Sequence, residues 1–274
     1  DGFDLALIDR TDIPFYRDLK WVEKIDIQRI PNARHLDPFW QDPSQIGLAY
    51  TWGTTGIAYR RDLVKKAPEA WADLFNPDGI TNKKVGMIDE ANEVFMATLR
   101  YMGKSTDDIN LTNIDIAYDI LLSQRPRALY SVEPLTKLNR LATGEVEAMM
   151  AYGGDALFTK NNYHDEIEYI LPKEGCLIWS DYWVLLKQAP NKDAAYRFLD
   201  FINRPEVARD NVRYIDNAST NLAAQALLTK KEASNAILYP SENALKGCQH
   251  YMPLDPALSQ EMNQTFFMLS GGGL

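Results

Sequence analysis

The pattern of apolar and polar positions predicts short strands alternating with amphipathic helices along almost the whole chain. Short apolar runs indicate strands, whereas apolar positions spaced by three and four residues indicate helices. Strands interleaved with helices in this way predict α/β layers with a mostly parallel sheet. The predicted strands are 3–7, 48–60, 83–88, 147–152, 166–171 and 177–186. The predicted helices are 61–75, 92–102, 112–122, 193–202, 205–214 and 256–269.

Two of the predicted strands, 48–60 and 177–186, are long enough to cross between two lobes. The first contains Gly53-Thr54-Thr55-Gly56, which predicts an interruption where the chain bends. A chain of 274 residues can form two lobes of ordinary size. Ligands of α/β proteins tend to bind at strand ends, and a cleft lined by such ends is therefore expected. The predicted division is lobe 1 from 1–54 and 182–224, and lobe 2 from 55–181 and 225–274.

The net charge of −9 argues against nucleic acid and anionic membranes as partners, because no basic patch is available to meet phosphates. The same charge is compatible with a cationic ligand. No apolar run approaches the roughly 18–20 residues that would span a bilayer. The two cysteines, Cys176 and Cys248, lie outside any CxxC motif and can pair in an oxidising compartment.

Signatures of catalysis are mostly absent from the chain. It has no GxSxG, no GxGxxG after the first strand, no GxxxxGK[ST] and no HExxH motif. The three histidines are scattered without metal-ligand spacing. We therefore expect neither a metal nor a cofactor.

The stretch "CLIWSDYW" (176–183) places a carboxylate between two tryptophans. In a strand, side chains alternate between the two faces, so Trp179, Asp181 and Trp183 share one face. Burial of an ionised carboxylate costs several kcal/mol or more unless a partner pairs with it. Either Asp181 faces water at a strand end, or its partner is a cation that the chain does not supply.

Acidic and aromatic residues also follow two other predicted strands. Glu90 and Glu93 lie on one face of the first turn of the helix after strand 83–88. They either cap that helix or hold a cation, and a glycosidase pair is the enzymatic version of the second interpretation. Tyr152 ends strand 147–152 and is either a core aromatic or a wall of the cleft. Aromatic faces and carboxylates together form the chemistry of an ammonium receptor.

Eight stretches match one family in sequence and in order. They are "YTWGTTGIAYRRD" (50–62), "WADLFNP" (71–77), "DEANEVFMATLRYMG" (89–103), "GEVEAMMAYGGDA" (144–156), "LPKEGCLIWSDYW" (171–183), "DAAYRFLDFINRPEVA" (193–208), "TNLAAQALL" (220–228) and "LYPSE" (238–242). On these stretches the chain resembles the bacterial periplasmic spermidine/putrescine-binding proteins, the substrate-binding subunits of polyamine importers.

The resemblance implies a two-lobed α/β clamshell of the type II periplasmic-binding-protein class, with the crossing strands as its hinge. It implies a non-enzymatic, extracytoplasmic (periplasmic) solute-binding protein, which we expect to be a monomer. Its ligand would be a linear polyamine such as spermidine, putrescine or norspermidine, captured in an interlobe cleft. Its partner would be an ABC transporter permease or a membrane-bound sensor. Family members begin earlier with a further strand and aromatic motif, so part of lobe 1 is expected to be missing here.

Five ligand-binding residues are implied by direct matches to the family's motifs. The paired acids match Glu90 and Glu93, and the stacking aromatic matches Tyr152. The Trp-x-Asp motif matches Trp179 and Asp181, which in the family sandwich the methylene chain and bind its amine. The cation expected beside Asp181 is then an ammonium group of the ligand.

Four further positions are candidates where this chain departs from the family or aligns loosely. Asp9 and Thr11 stand where the family often has Ser and Tyr, and Asn217 stands where it has Tyr. Gln249 aligns only loosely with a polar ligand-binding residue. Asp9 is an additional acid that either binds another amine or sits in a turn.

Two rival functions remain at this stage. One is a glycoside hydrolase that uses Glu90 or Glu93 with Asp181. The other is a binding protein for a non-amine solute such as an amino acid, for which an arginine clamp is expected.

Overall fold

The computed structural model describes residues 2–130, 140–250 and 253–271. The chain forms two compact units, a first unit of residues 1–53 and 179–239 and a second unit of 54–178 and 240–274. Residues 179–181 and 225–239, assigned to the second lobe from the sequence, are clustered here with the first unit.

The described residues form ten strands. They are β1 (Leu5–Asp9), β2 (Val22–Glu23), β3 (Gly47–Arg60), β4 (Val85–Met87), β5 (Ala128–Tyr130), β6 (Ala148–Tyr152), β7 (Ile167–Ile170), β8 (Leu177–Leu186), β9 (Ala218–Ser219) and β10 (Gln249–His250). Both long strands, β3 and β8, contain residues of the two units, as their lengths predict.

Helices alternate with these strands through most of the described chain. They are α1 (Ile13–Asp18), α2 (Ala72–Phe75), α3 (Ala91–Tyr101), α4 (Leu111–Gln124), α5 (Gly153–Asn162), α6 (Lys192–Ile202), α7 (Pro205–Ile215), α8 (Leu222–Ala226), α9 (Lys230–Ala233), α10 (Glu242–Leu245) and α11 (Pro256–Ser270).

In the first unit, β1 runs antiparallel to β8 in a register that pairs Leu5 with Leu185. The core beneath includes Leu185, Leu48 and the apolar stripe of α6. That stripe contains Ala195, Leu199 and Ile202, spaced by four and three residues as one buried helix face requires. The strand β9 adds to β3 through the pairs Thr51–Ser219 and Trp52–Ala218.

In the second unit, β3 pairs antiparallel with β6 and β7, whereas β4 pairs parallel with β5 and β6. The expectation of a mostly parallel sheet was therefore wrong, because the long strand runs opposite to its neighbours. Helix α3 is buried along most of its length, with Val94 and Leu99 fully inaccessible. Because this helix is held in the core, the positions of the residues in its first turn are fixed.

The strand β3 runs without a break through Gly53 and Gly56, so the predicted interruption is wrong. Neither glycine has a positive φ. A methyl group at residue 53 would lie 2.8 Å from Cε2 of Trp179, and one at residue 56 would lie 2.8 Å from the Tyr169 hydroxyl. Both glycines therefore allow close packing against an aromatic side chain instead of a bend.

The predicted helix 61–75 is present only as α2. The guanidinium of Arg60 donates two hydrogen bonds of 2.7 Å to the carboxylate of Asp62, within the turn that follows β3. Pro68 lacks a backbone N–H, and its ring would clash in a helix interior. The helical periodicity of this stretch is therefore overridden by its local turn chemistry.

Cys176 and Cys248 form a disulfide within the second unit, and they are 72 residues apart in sequence. The loop that it closes contains 179–239, the entire second segment of the first unit.

Candidate functional site

Two carboxylates oppose each other in the first unit. The register of β1 and β8 pairs Asp9 with Asp181. Side chains of directly opposed residues lie on the same face of a sheet, where like charges destabilise the pair. Across residues 2–130, 140–250 and 253–271, neither carboxylate forms an ion pair with a lysine, arginine or histidine. This face of the first unit therefore carries two opposed carboxylates with no described lysine, arginine or histidine at ion-pair distance.

The electrostatics of Asp181 reflect that neighbourhood. Burial, and then the charge of Asp9, raise the pKa of Asp181 from 3.8 to about 6. The opposing contribution is a long hydrogen bond of 3.4 Å that the Thr51 hydroxyl donates to Oδ2. A cation placed here would favour the ionised form of Asp181.

Asp9 and Thr11 act together at the end of β1. The Asp9 carboxylate accepts hydrogen bonds from the Thr11 amide at 2.7 Å and from the Thr11 hydroxyl at 2.6 Å, and it caps a 3-10 turn. Burial raises the pKa of Asp9 despite these bonds, and the charge of Arg10 lowers it as the smallest contribution. Asp9 therefore sits in a turn, as one alternative held, and it also faces Asp181.

The two tryptophans beside Asp181 have different surroundings. Trp183 is half-buried, packs against the core of the first unit, and contacts Tyr50 and the exposed Phe198 with ring centroids 5.6 and 5.4 Å away. Trp179 is half-buried and lies against Gly53, as noted above. Trp179 is therefore the tryptophan of this face that remains a candidate for stacking on a ligand.

Asn217 immediately precedes β9 and is half-buried. The residue before it, Asp216, has a left-handed backbone with φ of 51°. Among the described residues, no hydrogen bond joins Asn217 to Asp9 or Asp181. Its assignment to the site remains a prediction.

In the second unit, Glu93 is a buried carboxylate held by two hydroxyl groups. Its side chain projects from the first turn of α3 and is 6% exposed. The Thr55 hydroxyl donates to Oε2 at 2.6 Å, and the Tyr152 hydroxyl donates to Oε1 at 2.9 Å. Thr55 and Tyr152 are themselves paired across β3 and β6.

Glu90 is the N-cap residue of α3, and Glu93 lies in its first turn. The side chain of Glu90 makes no capping hydrogen bond to the helix. The carboxylate of Glu93 is instead directed to the strands. Glu90 is exposed, and its charge and that of Glu93 act on the hydroxyl of Tyr152.

Tyr152 is half-buried and packs against the core of the second unit. Burial raises the pKa of Tyr152 strongly, and the neighbouring charges of Glu93 and Glu90 raise it further. The hydroxyl therefore stays protonated and remains a hydrogen-bond donor to Glu93. Tyr152 thus packs against the core, as one alternative held, and its place in the wall of a cleft stays a prediction.

Gln249 binds the opposite end of α3. Its side-chain oxygen accepts hydrogen bonds from the Thr106 amide at 2.9 Å, Arg100 Nη1 at 3.2 Å and the Ser105 hydroxyl at 3.3 Å. Arg100 follows Glu93 by seven residues, which is about 10 Å along a helix. The structure therefore does not bring Gln249 beside Glu93, and these bonds tie β10 to the end of α3.

Two threonines of β3 were missed by the sequence analysis. Thr51 contacts Asp181 and Thr55 contacts Glu93, although both lie in a stretch interpreted as strand and bend. A buried threonine in a strand is common, and only the tertiary contact distinguishes these two.

Across the described ranges, no group of three or more His, Cys, Asp or Glu side chains is arranged to hold a metal ion. In those same ranges, no helix has the length and apolar character needed to cross a membrane.

Comparison with known proteins places the chain in a family. Residues 1–239 match the model of the family described as "Bacterial extracellular solute-binding protein". The spermidine/putrescine-binding periplasmic protein of Escherichia coli K12 is 31% identical over 255 residues, covering 90% of this chain and 72% of that protein. The norspermidine sensor of Vibrio cholerae is 26% identical over 247 residues, covering 89% of this chain and 68% of that protein.

The fold has close structural counterparts. A protein of Listeria monocytogenes assigned as a spermidine/putrescine ABC transporter superposes with a TM-score of 0.87 at 27% identity, covering 98% of this chain and 84% of that chain. The predicted α/β periplasmic-binding-protein fold is confirmed. Members of the matched family bind solutes and are not enzymes, which decides against the glycoside hydrolase alternative. The chain belongs to the family of bacterial extracellular solute-binding proteins.

Proposed function

We propose that this protein binds a linear polyamine, such as spermidine, putrescine or norspermidine, and delivers it to a membrane partner. The observation that carries the proposal is the pair of Asp9 and Asp181, opposed in register without an ion pair among the described residues. A ligand ammonium relieves the repulsion between the two carboxylates. An anionic or neutral solute would not.

The first unit contributes its charges and an aromatic face to this function. Asp181 and Asp9 bind ammonium groups, and Thr11 orients Asp9 through its hydroxyl. Trp179 packs on the methylene groups of the ligand. Asn217 is assigned to the same set from its position before β9.

The second unit contributes Glu93 and Glu90 as acids and Tyr152 as an aromatic wall. The two hydroxyl partners of Glu93 hold its carboxylate in one orientation. It can therefore accept a charge-assisted hydrogen bond from a ligand in a fixed direction, which a mobile surface carboxylate cannot. Gln249 is removed from the proposed ligand-binding set, since its side-chain oxygen is used in the bonds at the end of α3.

The proposed partner is an ABC transporter permease, and the proposed location is the periplasm. Support comes from the relatives named as periplasmic polyamine-binding proteins. A membrane-bound sensor is the alternative partner, and the relative named as a norspermidine sensor favours including norspermidine among the ligands tested. The protein is proposed to act as a monomer, which light scattering after size-exclusion chromatography tests directly.

Calorimetry with putrescine, spermidine, norspermidine and spermine, beside amino acids and sugars, tests the proposed ligand class. We expect saturable binding of at least one polyamine and no binding of the amino acids or the sugars. The variant Glu93→Gln should weaken that binding at least tenfold, because breaking a buried charge pair typically costs about 2–5 kcal/mol. Asp193→Asn, at a carboxylate that is 85% exposed, is the matched control and should bind like the wild type. A flat response to all four polyamines would overturn the assignment.

A further inference from the structure

The carboxylate of Glu93 is held by neutral donors on two different strands. Thr55 on β3 is fully buried and donates to one oxygen at 2.6 Å, and Tyr152 on β6 donates to the other at 2.9 Å. Because these two residues are paired across the strands, the separation of the two hydroxyls is set by the sheet.

The two hydroxyls bind different oxygens of this carboxylate, which offers about four lone-pair positions in all. Hydrogen bonds to the charged form of an acid favour that form and oppose the effect of burial. The two hydroxyls therefore fix the direction of the carboxylate and favour its charged form.

We propose that Thr55 and the hydroxyl of Tyr152 are positioning groups that hold the carboxylate of Glu93 in one orientation for a ligand ammonium. The inference rests on the proposed polyamine function. It adds Thr55, a residue to which that function otherwise assigns no role. It also gives Tyr152 a role beyond its aromatic face.

Four titratable groups are linked to Glu93, either through its charge or through its partner Tyr152. The charge of Glu93 contributes to the raised pKa values of Tyr152 on β6 and Tyr169 on β7. Glu90 precedes α3 itself, and Asp155 in the first turn of α5 acts on Tyr152. Both tyrosines have strongly raised pKa values because of burial, so neither ionises between pH 5 and 8. Loss of a hydroxyl donor should therefore disfavour the charged form of Glu93 without changing the charge of either tyrosine.

The test compares Thr55→Val, which removes the hydroxyl at nearly constant volume, with Thr55→Ser, which keeps it. Spermidine affinity is measured by calorimetry from pH 5 to 8.5. A hydrogen bond to a charged group corresponds to roughly a tenfold or greater change in affinity. We expect Thr55→Val to bind at least tenfold more weakly than wild type at pH 6, with the deficit shrinking as rising pH ionises Glu93. Thr55→Ser should restore most of the affinity.

Thr98→Val is the matched control, because Thr98 is also buried, lies on α3 and donates only to the Val94 carbonyl at 2.8 Å. It should lose stability without changing the pH profile. Tyr152→Phe, at a half-buried position, should reproduce the pH shift and provides the test if Thr55→Val does not fold.

The outcomes separate the two proposals. Suppose that wild type and Thr98→Val bind spermidine, but Thr55→Val or Tyr152→Phe shows an unchanged pH profile of binding. That result would overturn the positioning role and leave the polyamine function intact. Wild type that binds no polyamine would overturn both.

Discussion

Replacement of Asp181 by Asn should stabilise the ligand-free protein while weakening its binding of polyamine. The carboxylate is half-buried, opposes Asp9 on the neighbouring strand and has only a long bond to Thr51. An asparagine keeps the size of the side chain and can still accept the hydroxyl of Thr51, but it removes the charge. The repulsion is then lost, and so is the contact for an ammonium group.

The size of the effect follows from the pKa of Asp181, which is raised from 3.8 to about 6. The folded state holds the proton more tightly than the unfolded state, so this group costs no stability below pH 3.8. The cost grows as pH rises and is complete above the folded pKa of about 6. At about 1.4 kcal/mol for each pKa unit, the variant should gain about 1.5 kcal/mol at pH 5 and at most about 3 kcal/mol at pH 8.

Urea unfolding at pH 5 and pH 8, without ligand, measures the gain directly. Asp193→Asn is the control for loss of a carboxylate in the same unit. In a parallel series, saturating spermidine should raise the unfolding midpoint of the wild type and leave that of Asp181→Asn nearly unchanged. An Asp181→Asn variant that is less stable than wild type at pH 8, or that binds spermidine as tightly as wild type, would refute this role of Asp181.

Three other perturbations probe the same surroundings. Asp9→Asn should lower the pKa of Asp181 in part, because burial still raises it while the charge of Asp9 is lost; asparagine can cap the turn as aspartate does, and an unchanged titration by NMR would contradict the prediction. Gly53→Ala should cost more than about 1 kcal/mol in urea unfolding, because its methyl meets the ring of Trp179, whereas Gly79→Ala has open space and should cost less. Reduction of the disulfide should lower the free energy of unfolding by about 4 kcal/mol, from the 72-residue separation of its cysteines; an equal midpoint with and without reductant would refute it.

The local part of the candidate site was predictable because it depends on period alone. Strand alternation in "CLIWSDYW" places Trp179 and Asp181 on one face, and the structure leaves both half-buried while Ser180 and Tyr182 between and beyond them are buried. The ends of β8 were also predicted correctly, because apolar and aromatic residues on both sides of Ser180 and Asp181 favour a strand.

The long-range part of the site was not predictable from the sequence. The pairing of Asp9 with Asp181 depends on the register of two strands more than 170 residues apart, and a shift by one residue would separate the two side chains to opposite faces. Likewise, nothing local distinguishes Thr55, which contacts Glu93, from Thr54, which contacts Tyr169.

The carboxylates of the two units differ in how their negative charge is compensated, and this difference affects the binding of a cation. In the second unit, the charge of Glu93 is already compensated by hydroxyl donors, so a ligand adds a directed bond to a prepared acceptor. In the first unit, the repulsion of Asp9 and Asp181 is present before the ligand arrives, and a cation gains both attraction and the relief of that repulsion. Because protonation of Asp181 relieves the same repulsion, protons and ammonium groups compete there. Affinity for polyamine should therefore fall as pH drops through about 6, and the fall should be lost in Asp181→Asn.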